Sequence, residues 1–239
     1  MARGQLEMTK PRTMTGAVLP GNSTVAFREF EIPEPGHGEV LIRTKASTIC
    51  GSDIRAIYRE HLGKGSDSLT YTDGAQVACG FGTVYEGLER IGISGNDSVL
   101  VTGLGPVGLA ALMLCKAMGA TRLIGVDTVR ERMDLAVELG LADKVIPVGP
   151  DTVQQVMALT GGKGVEKSAD CSGNDQARQT CIRATRKWGK IVFIGEGGTC
   201  SFNPSPDIIH DQKTIYGSWV TNIWRMEELT EMKRRSAWL

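Results

Sequence analysis

Val99-Leu100-Val101-Thr102-Gly103-Leu104-Gly105-Pro106-Val107-Gly108, followed by Leu123-Ile124-Gly125-Val126-Asp127, decides the fold. A short apolar run leads into G-x-G-x-x-G. A helix-forming stretch opens at the last glycines, and a second apolar run ends on a carboxylate. The glycine pattern alone is a weak signal. A strand before it, a helix after it and an acidic residue about 20 positions on make it specific for a dinucleotide. Gly103 permits the tight turn. Gly105 lets the backbone approach a pyrophosphate, and Gly108 lets the helix pack close to the sheet. The helix opened by Pro106 and Val107 offers free N–H groups and a partial positive charge to phosphates. The alternative is a glycine-rich turn with no ligand. Asp127 is expected to accept hydrogen bonds from the adenine ribose hydroxyls, each worth about 1.5–3 kcal/mol. A 2′-phosphate there would meet a carboxylate, so NAD is expected over NADP. Arg132, five residues on, either pairs with a phosphate or lies on the solvent face of its helix.

Outward from this stretch, strands and helices alternate. Pro106–Met118 reads as a helix ended by Gly119, and Arg130–Leu139 as an amphipathic helix ended by Gly140. Lys144–Val148 reads as a strand, 151–159 as a helix, 165–169 as a strand and 175–187 as a helix. Ile191–Ile194 reads as a strand, with a further one over Thr214–Trp219. Short strands alternating with helices predict an α/β fold, a doubly wound parallel (Rossmann) sheet covered on both faces. Toward the amino end the pattern is β-rich. Gly16–Leu19 is expected as a first strand. The turn Pro33-Glu34-Pro35-Gly36 precedes Val40-Leu41-Ile42-Arg43-Thr44-Lys45, whose period of two predicts a half-buried strand. Asp73-Gly74 is expected to open a helix to about Ile91, with Asp73 as N-cap.

The 239 residues are 41% hydrophobic and 23% charged with zero formal net charge, ordinary values for a globular protein. A nucleic-acid partner is not expected, since no basic excess is present. Nor is a membrane span, since no apolar run reaches ~18 residues. No apolar leader opens the chain, which predicts a cytoplasmic protein with reduced thiols. The six cysteines form no C-x-x-C pair. Cys115, Cys181 and Cys200 read as small core residues. On the sequence alone, Cys50 and Cys79 are better read as buried thiols than as metal ligands.

Several segments in order resemble the zinc-dependent medium-chain alcohol and polyol dehydrogenases. Thr48-Ile49-Cys50-Gly51-Ser52-Asp53-Ile54 is similar to the segment holding that family's first catalytic-zinc cysteine. Ala78-Cys79-Gly80-Phe81-Gly82-Thr83 resembles the segment bearing its last zinc ligand. Pro33–Val40 resembles the strand turn upstream. The Gly103–Gly108 loop, Asp127, Asp170-Cys171-Ser172-Gly173 and Phe193-Ile194-Gly195 match its cofactor positions. The resemblance runs from Met14 to about Val220. It implies NAD and zinc as cofactors and a small alcohol or polyol as substrate. It implies Cys50 and Cys79 as zinc thiolates, Ser52 as the hydroxyl passing the substrate proton, and Asp53 as a carboxylate orienting a ligand. It also implies Ser172, Gly173, Ile194 and Gly195 as cofactor contacts. The Cys-Gly-Ser-Asp form leans toward the polyol and threonine dehydrogenase branch.

The chain departs from that family between Gly65 and Ser68. There the family has a long stretch with a Gly-His-Glu motif, whose histidine is its middle zinc ligand, and often a four-cysteine lobe. Of the three histidines here, His37 belongs to the Pro-Gly turn, His61 lies close to Cys50 in sequence, and His210 lies in a late loop. A catalytic zinc needs three protein ligands and an open position, so two thiolates are expected to hold it weakly. The expected organisation has four parts. Residues 14–72 form an incomplete β-rich GroES-like catalytic domain, 73–96 a linking helix region, 97–222 the NAD-binding domain and 223–239 an atypical tail. Missing strands would leave open edges that invite a second chain, so a homo-oligomer is one expected state. An NAD-binding remnant without a complete zinc site is the alternative function.

Overall fold

A computed structural model describes residues 13–21, 24–37, 40–44 and 77–235. The chain divides into two compact units, with the division after Lys64.

In the first unit, β1 (Thr13–Gly21) and β2 (Thr24–Glu31) form an antiparallel two-stranded sheet. Met14 lies opposite Phe30 and Ala17 opposite Phe27. The strand expected over Gly16–Leu19 falls within β1. The strand expected over Val40–Lys45 does not form among its described residues 40–44, which are coil. Val40 is 81% and Ile42 62% exposed. Alternating hydrophobicity buries a face only where a ladder partner and a cover exist, and among the described residues the sheet of this unit contains only β1 and β2.

The first described element of the second unit is a π-helical turn, Val77–Phe81, that runs into α1 (Gly82–Ile91). The expected N-cap, Asp73, lies outside the described residues. A six-stranded parallel sheet follows. It comprises β3 (Ser98–Thr102), β4 (Arg122–Asp127), β5 (Lys144–Pro147), β6 (Val165–Asp170), β7 (Thr185–Phe193) and β8 (Thr214–Gly217), ordered β5-β4-β3-β6-β7-β8. The connecting helices are α2 (Pro106–Ala117), α3 (Arg130–Glu138), α4 (Thr152–Leu159) and α5 (Asp175–Ala184). Successive residues of β3 enter different clusters. Val99 and Val101 pack with Leu112 and Leu114 of α2, whereas Leu100 packs with Ile124, Ile146 and Val156. Both faces of the sheet are therefore covered, as the apolar strands required.

The helix expected over 175–187 ends at Ala184, and β7 begins at once. Thr185 adopts the extended conformation, with its hydroxyl donating to the Cys181 carbonyl at 2.7 Å. Asn174 caps the start of α5, accepting from the Gln176 and Ala177 amides. Sequence periodicity placed the boundary late because Arg186 and Lys187 suit a helix as well as a strand. In the expected tail, residues 223–235 form the helix α6 (Ile223–Arg235). Its Leu229 is buried in the same cluster as Val84 and Leu88 of α1. Arg225 ties the two helices by pairing with Glu89 of α1 at 3.0 Å, and it also pairs with Glu228 of its own helix at 2.6 Å. No helix among the described residues is long and apolar enough to cross a membrane.

Cys115 and Cys181 are fully buried core residues, as expected, while Cys200 is half-buried against the cluster around Ile182. Burial pushes the Cys181 thiol up to about 12 and raises that of Cys115 further. In the unfolded chain a thiol ionises near pH ~8.5. Between that pH and the folded values the unfolded state binds fewer protons, so stability falls with rising pH, by at most about 1.4 kcal/mol per unit for each thiol. Native protein at pH 8 should leave Cys115 and Cys181 unlabelled by a thiol reagent, with both labelled in denaturant. Rapid native labelling of either would contradict the packing described.

Candidate dinucleotide site at the carboxyl edge of the sheet

The chain crosses from one half of the sheet to the other between the adjacent strands β3 and β6. At such a switch point, the loops leaving the carboxyl ends of the strands diverge and leave a crevice. Four of these loops carry the expected site residues.

The loop after β3 turns at Gly103, whose φ of +81° lies in the left-handed region. A Cβ there would also lie 2.6 Å from that of Ser172 in the loop after β6. Gly108 faces the Gly103 carbonyl so closely that a Cβ on it would overlap that oxygen. Gly105 differs, because a Cβ on it would meet no atom within 4 Å. Its position is open to a ligand. Gly105 caps α2 without any side-chain hydrogen bond, Pro106 is the first helical residue and is exposed, and Val107 is half-buried. The first amides of α2 thus lack intrahelical partners at the open edge.

Asp127 ends β4 and is 4% exposed. Its Oδ2 accepts the Leu104 amide at 2.5 Å, and its Oδ1 accepts the Thr128 and Val129 amides at 2.7 and 2.8 Å. Arg132 approaches Oδ2 at 3.7 Å. The carboxylate therefore braces the glycine loop as well as facing the position expected for a ribose. A carboxylate offers about four acceptor sites, so few remain for a ligand. Arg132 is exposed on the surface of its helix, with its guanidinium 3.7 Å from Asp127.

The other half of the edge is built on Asp170, fully buried at the end of β6. It accepts the hydroxyls of Thr102 and Ser172 at 2.9 and 2.7 Å and the amide of Gly173 at 3.0 Å. Gly173 and Gly195 approach backbone to backbone, and a Cβ on either would overlap the other loop. Ile194 is buried and Gly195 half-buried. An open cleft of about 470 Å³ lies at the ends of β7 and β8, lined by Phe193, Ile194, Gly195, Ser218 and Trp219 together with Arg178.

The structure thus brings together Gly103, Gly105, Pro106, Val107, Gly108, Asp127 and Arg132 on one side of the switch point. It brings Ser172, Gly173, Ile194 and Gly195 together on the other. A dinucleotide fits this arrangement, with an open position at Gly105, uncapped amides on α2 and a carboxylate at the end of β4. Thr102 and Arg178, which hold the second half through Asp170, escaped the sequence reading. Neither lies in a glycine motif, and no linear spacing announces them.

Cys50, Ser52, Asp53 and His61 lie outside the described residues. Cys79 is half-buried in the π-helical turn, and His37 and His210 are exposed in turns. Among the described residues no three His, Cys, Asp or Glu side chains gather in a way that could hold a metal ion. The described residues do not assemble a zinc site.

The family model described as zinc-binding dehydrogenase matches residues 106–235. The zinc-type alcohol dehydrogenase-like protein YphC of Escherichia coli is 34% identical, over 93% of this chain and 89% of its own length. That alignment runs over 315 positions, more than the 239 of this chain, so YphC carries a long internal stretch with no counterpart here. Sorbitol dehydrogenase of Mus musculus is 36% identical over 55% of this chain and 37% of its own. Among solved structures, an alcohol dehydrogenase from Thermotoga maritima superposes with a TM-score of 0.65 at 20% identity, covering 71% of this chain and 48% of that one. One from Aeropyrum pernix gives 0.61 at 26% identity, covering 70% and 49%. The chain spans about half the length of these solved relatives. Sheet order, glycine loop and the matched sequence agree, and the chain belongs to the zinc-type alcohol and polyol dehydrogenase family.

Proposed function

We propose that this chain binds NAD(H) across the carboxyl edge of its sheet and serves as an NAD-dependent oxidoreductase of the alcohol dehydrogenase type. The proposed reaction moves a hydride from a secondary alcohol or polyol to the coenzyme. The observation that carries this reading is the glycine loop. Gly103 and Gly108 are closed by contacts that admit no side chain, while Gly105 alone faces open space beside the uncapped start of α2. When bound, the nicotinamide ring supplies the hydride chemistry. The chain's own residues do the placing. The α2 amides would hold the pyrophosphate, and Asp127 would orient the adenine ribose and disfavour a 2′-phosphate. The Ser172–Gly173 and Ile194–Gly195 loops would flank the other half. By the family resemblance, Ser52 would pass the substrate proton, and Cys50 and Cys79 would be the zinc thiolates. The described residues do not complete that metal site, so no step is routed through it.

The ligand inventory favours a second reading, coenzyme binding without metal-assisted turnover. Under either reading, 97–222 is taken as the coenzyme domain and 14–72 as the remainder of a catalytic domain. The thiol pattern supports a cytoplasmic setting, and the outer edge of β8 leaves room for a second copy.

Two measurements test these readings. Titration of NADH into the protein, followed by fluorescence, should show saturable binding. Asp127→Ala should weaken it about tenfold or more, as expected for loss of a charge-assisted hydrogen bond worth about 1.5–3 kcal/mol. Unchanged affinity in that variant would remove Asp127 from the site. Metal analysis of the purified chain then separates enzyme from remnant. About one equivalent of zinc with alcohol-dependent NADH formation supports the first reading. Less than about a tenth of an equivalent, with NADH still bound, supports the second.

A further inference from the structure

Asp127 marks one mononucleotide half of the edge, and β6 to β8 form the other. The second half is spanned by one side chain. Arg178, on α5, is 12% exposed in its side chain. Its Nε donates to Asp170 at 3.3 Å, one terminal nitrogen donates to the Thr199 carbonyl at 3.2 Å, and the other donates to the Gly195 carbonyl at 2.7 Å. The guanidinium lies 5.4 Å from the centre of the Phe193 ring. Two segments are thereby fixed to one rigid plane: the end of β6, and the loop after β7, which is held at both Gly195 and Thr199. Asp170 passes the constraint on, because the same carboxylate holds the amides of Ser172 and Gly173. Arg178's own hydrogen-bond partners all lie on the β6–β8 side of the switch point, while Asp170 reaches across it to the Thr102 hydroxyl of β3.

We propose that Arg178 is the positioning residue of the nicotinamide half of the coenzyme site, setting the Gly195 turn against the Ser172–Gly173 loop at the mouth of the cleft. This rests on the NAD(H) reading given above. The geometry, rather than the positive charge, does the positioning. A lysine supplies a point charge for Asp170, but it cannot reach two further carbonyls with a planar fork.

The test uses the full chain and two probes, NADH and AMP, the second carrying only the adenine half. Arg178→Gln and Arg178→Lys should each bind NADH about tenfold more weakly, with AMP affinity held within about twofold. Bound NADH should also show a smaller fluorescence enhancement in both variants. Asp127→Ala should weaken both probes and serves as the internal control. Melting temperatures are read alongside. If Arg178→Gln unfolds below the assay temperature, Arg178→Lys, which keeps a cation beside Asp170, decides the matter. Equal losses for NADH and AMP, no loss for either, or full rescue by lysine would overturn the proposal. If Asp127→Ala weakens both probes while the Arg178 variants match the wild type, only the Arg178 role fails. If the wild-type chain binds neither probe, the NAD(H) reading fails and takes this proposal with it.

Discussion

The carboxyl edge of the sheet depends on close approach of backbone to backbone. Gly108 sits on the Gly103 carbonyl, Gly103 against Ser172, and Gly173 against Gly195. Each contact occupies space that a Cβ would need. Together they draw the loops after β3, β6 and β7 into one rim. Hydrogen bonds then lock the rim from below. Asp127 holds the first loop through the Leu104 amide, and Asp170 with Arg178 holds the other two. The buried carboxylates are tolerable because backbone amides or hydroxyls and a guanidinium surround each of them. Of the three glycines in the loop after β3, only Gly105 has open space where a Cβ would stand.

Much of this was legible in the sequence, for a physical reason. Strands buried on both faces show as continuous apolar runs, and β3 and β4 read that way. Turns needing positive φ show as glycine, as at Gly103 and Gly140. The glycine-loop motif was readable because its glycines, helix start and Asp127 are joined by short-range chain geometry. Arg178 was not, since its partners come from β6, β7 and the loop beyond, and an arginine on a polar helix looks like any solvated one. The end of α5 was missed for a similar cause. Thr185 turns the chain through side-chain and backbone contacts that no periodicity records.

The two units differ in what they complete. In the second, the terminal helix α6 buries Leu229 against α1, and Arg225 pairs across that seam with Glu89. In the first, the described strands are β1 and β2 alone, and Val40 and Ile42 stay exposed. The period-two pattern at Val40–Lys45 is that of a strand whose partners are not among the described residues. The long stretch of YphC with no counterpart here fits that difference. The six-stranded parallel sheet and its glycine loop lie in the second unit, and the proposal of NAD(H) binding rests on that unit alone.

Amide hydrogen exchange with and without saturating NADH tests this account most directly. The account predicts added protection at the Gly105, Val107 and Gly108 amides and at the Ser172–Gly173 and Gly195 turns, with the buried amides of β3 and β4 already protected in the free chain. Binding that protects other segments and leaves the Gly105, Val107 and Gly108 amides unchanged would contradict it.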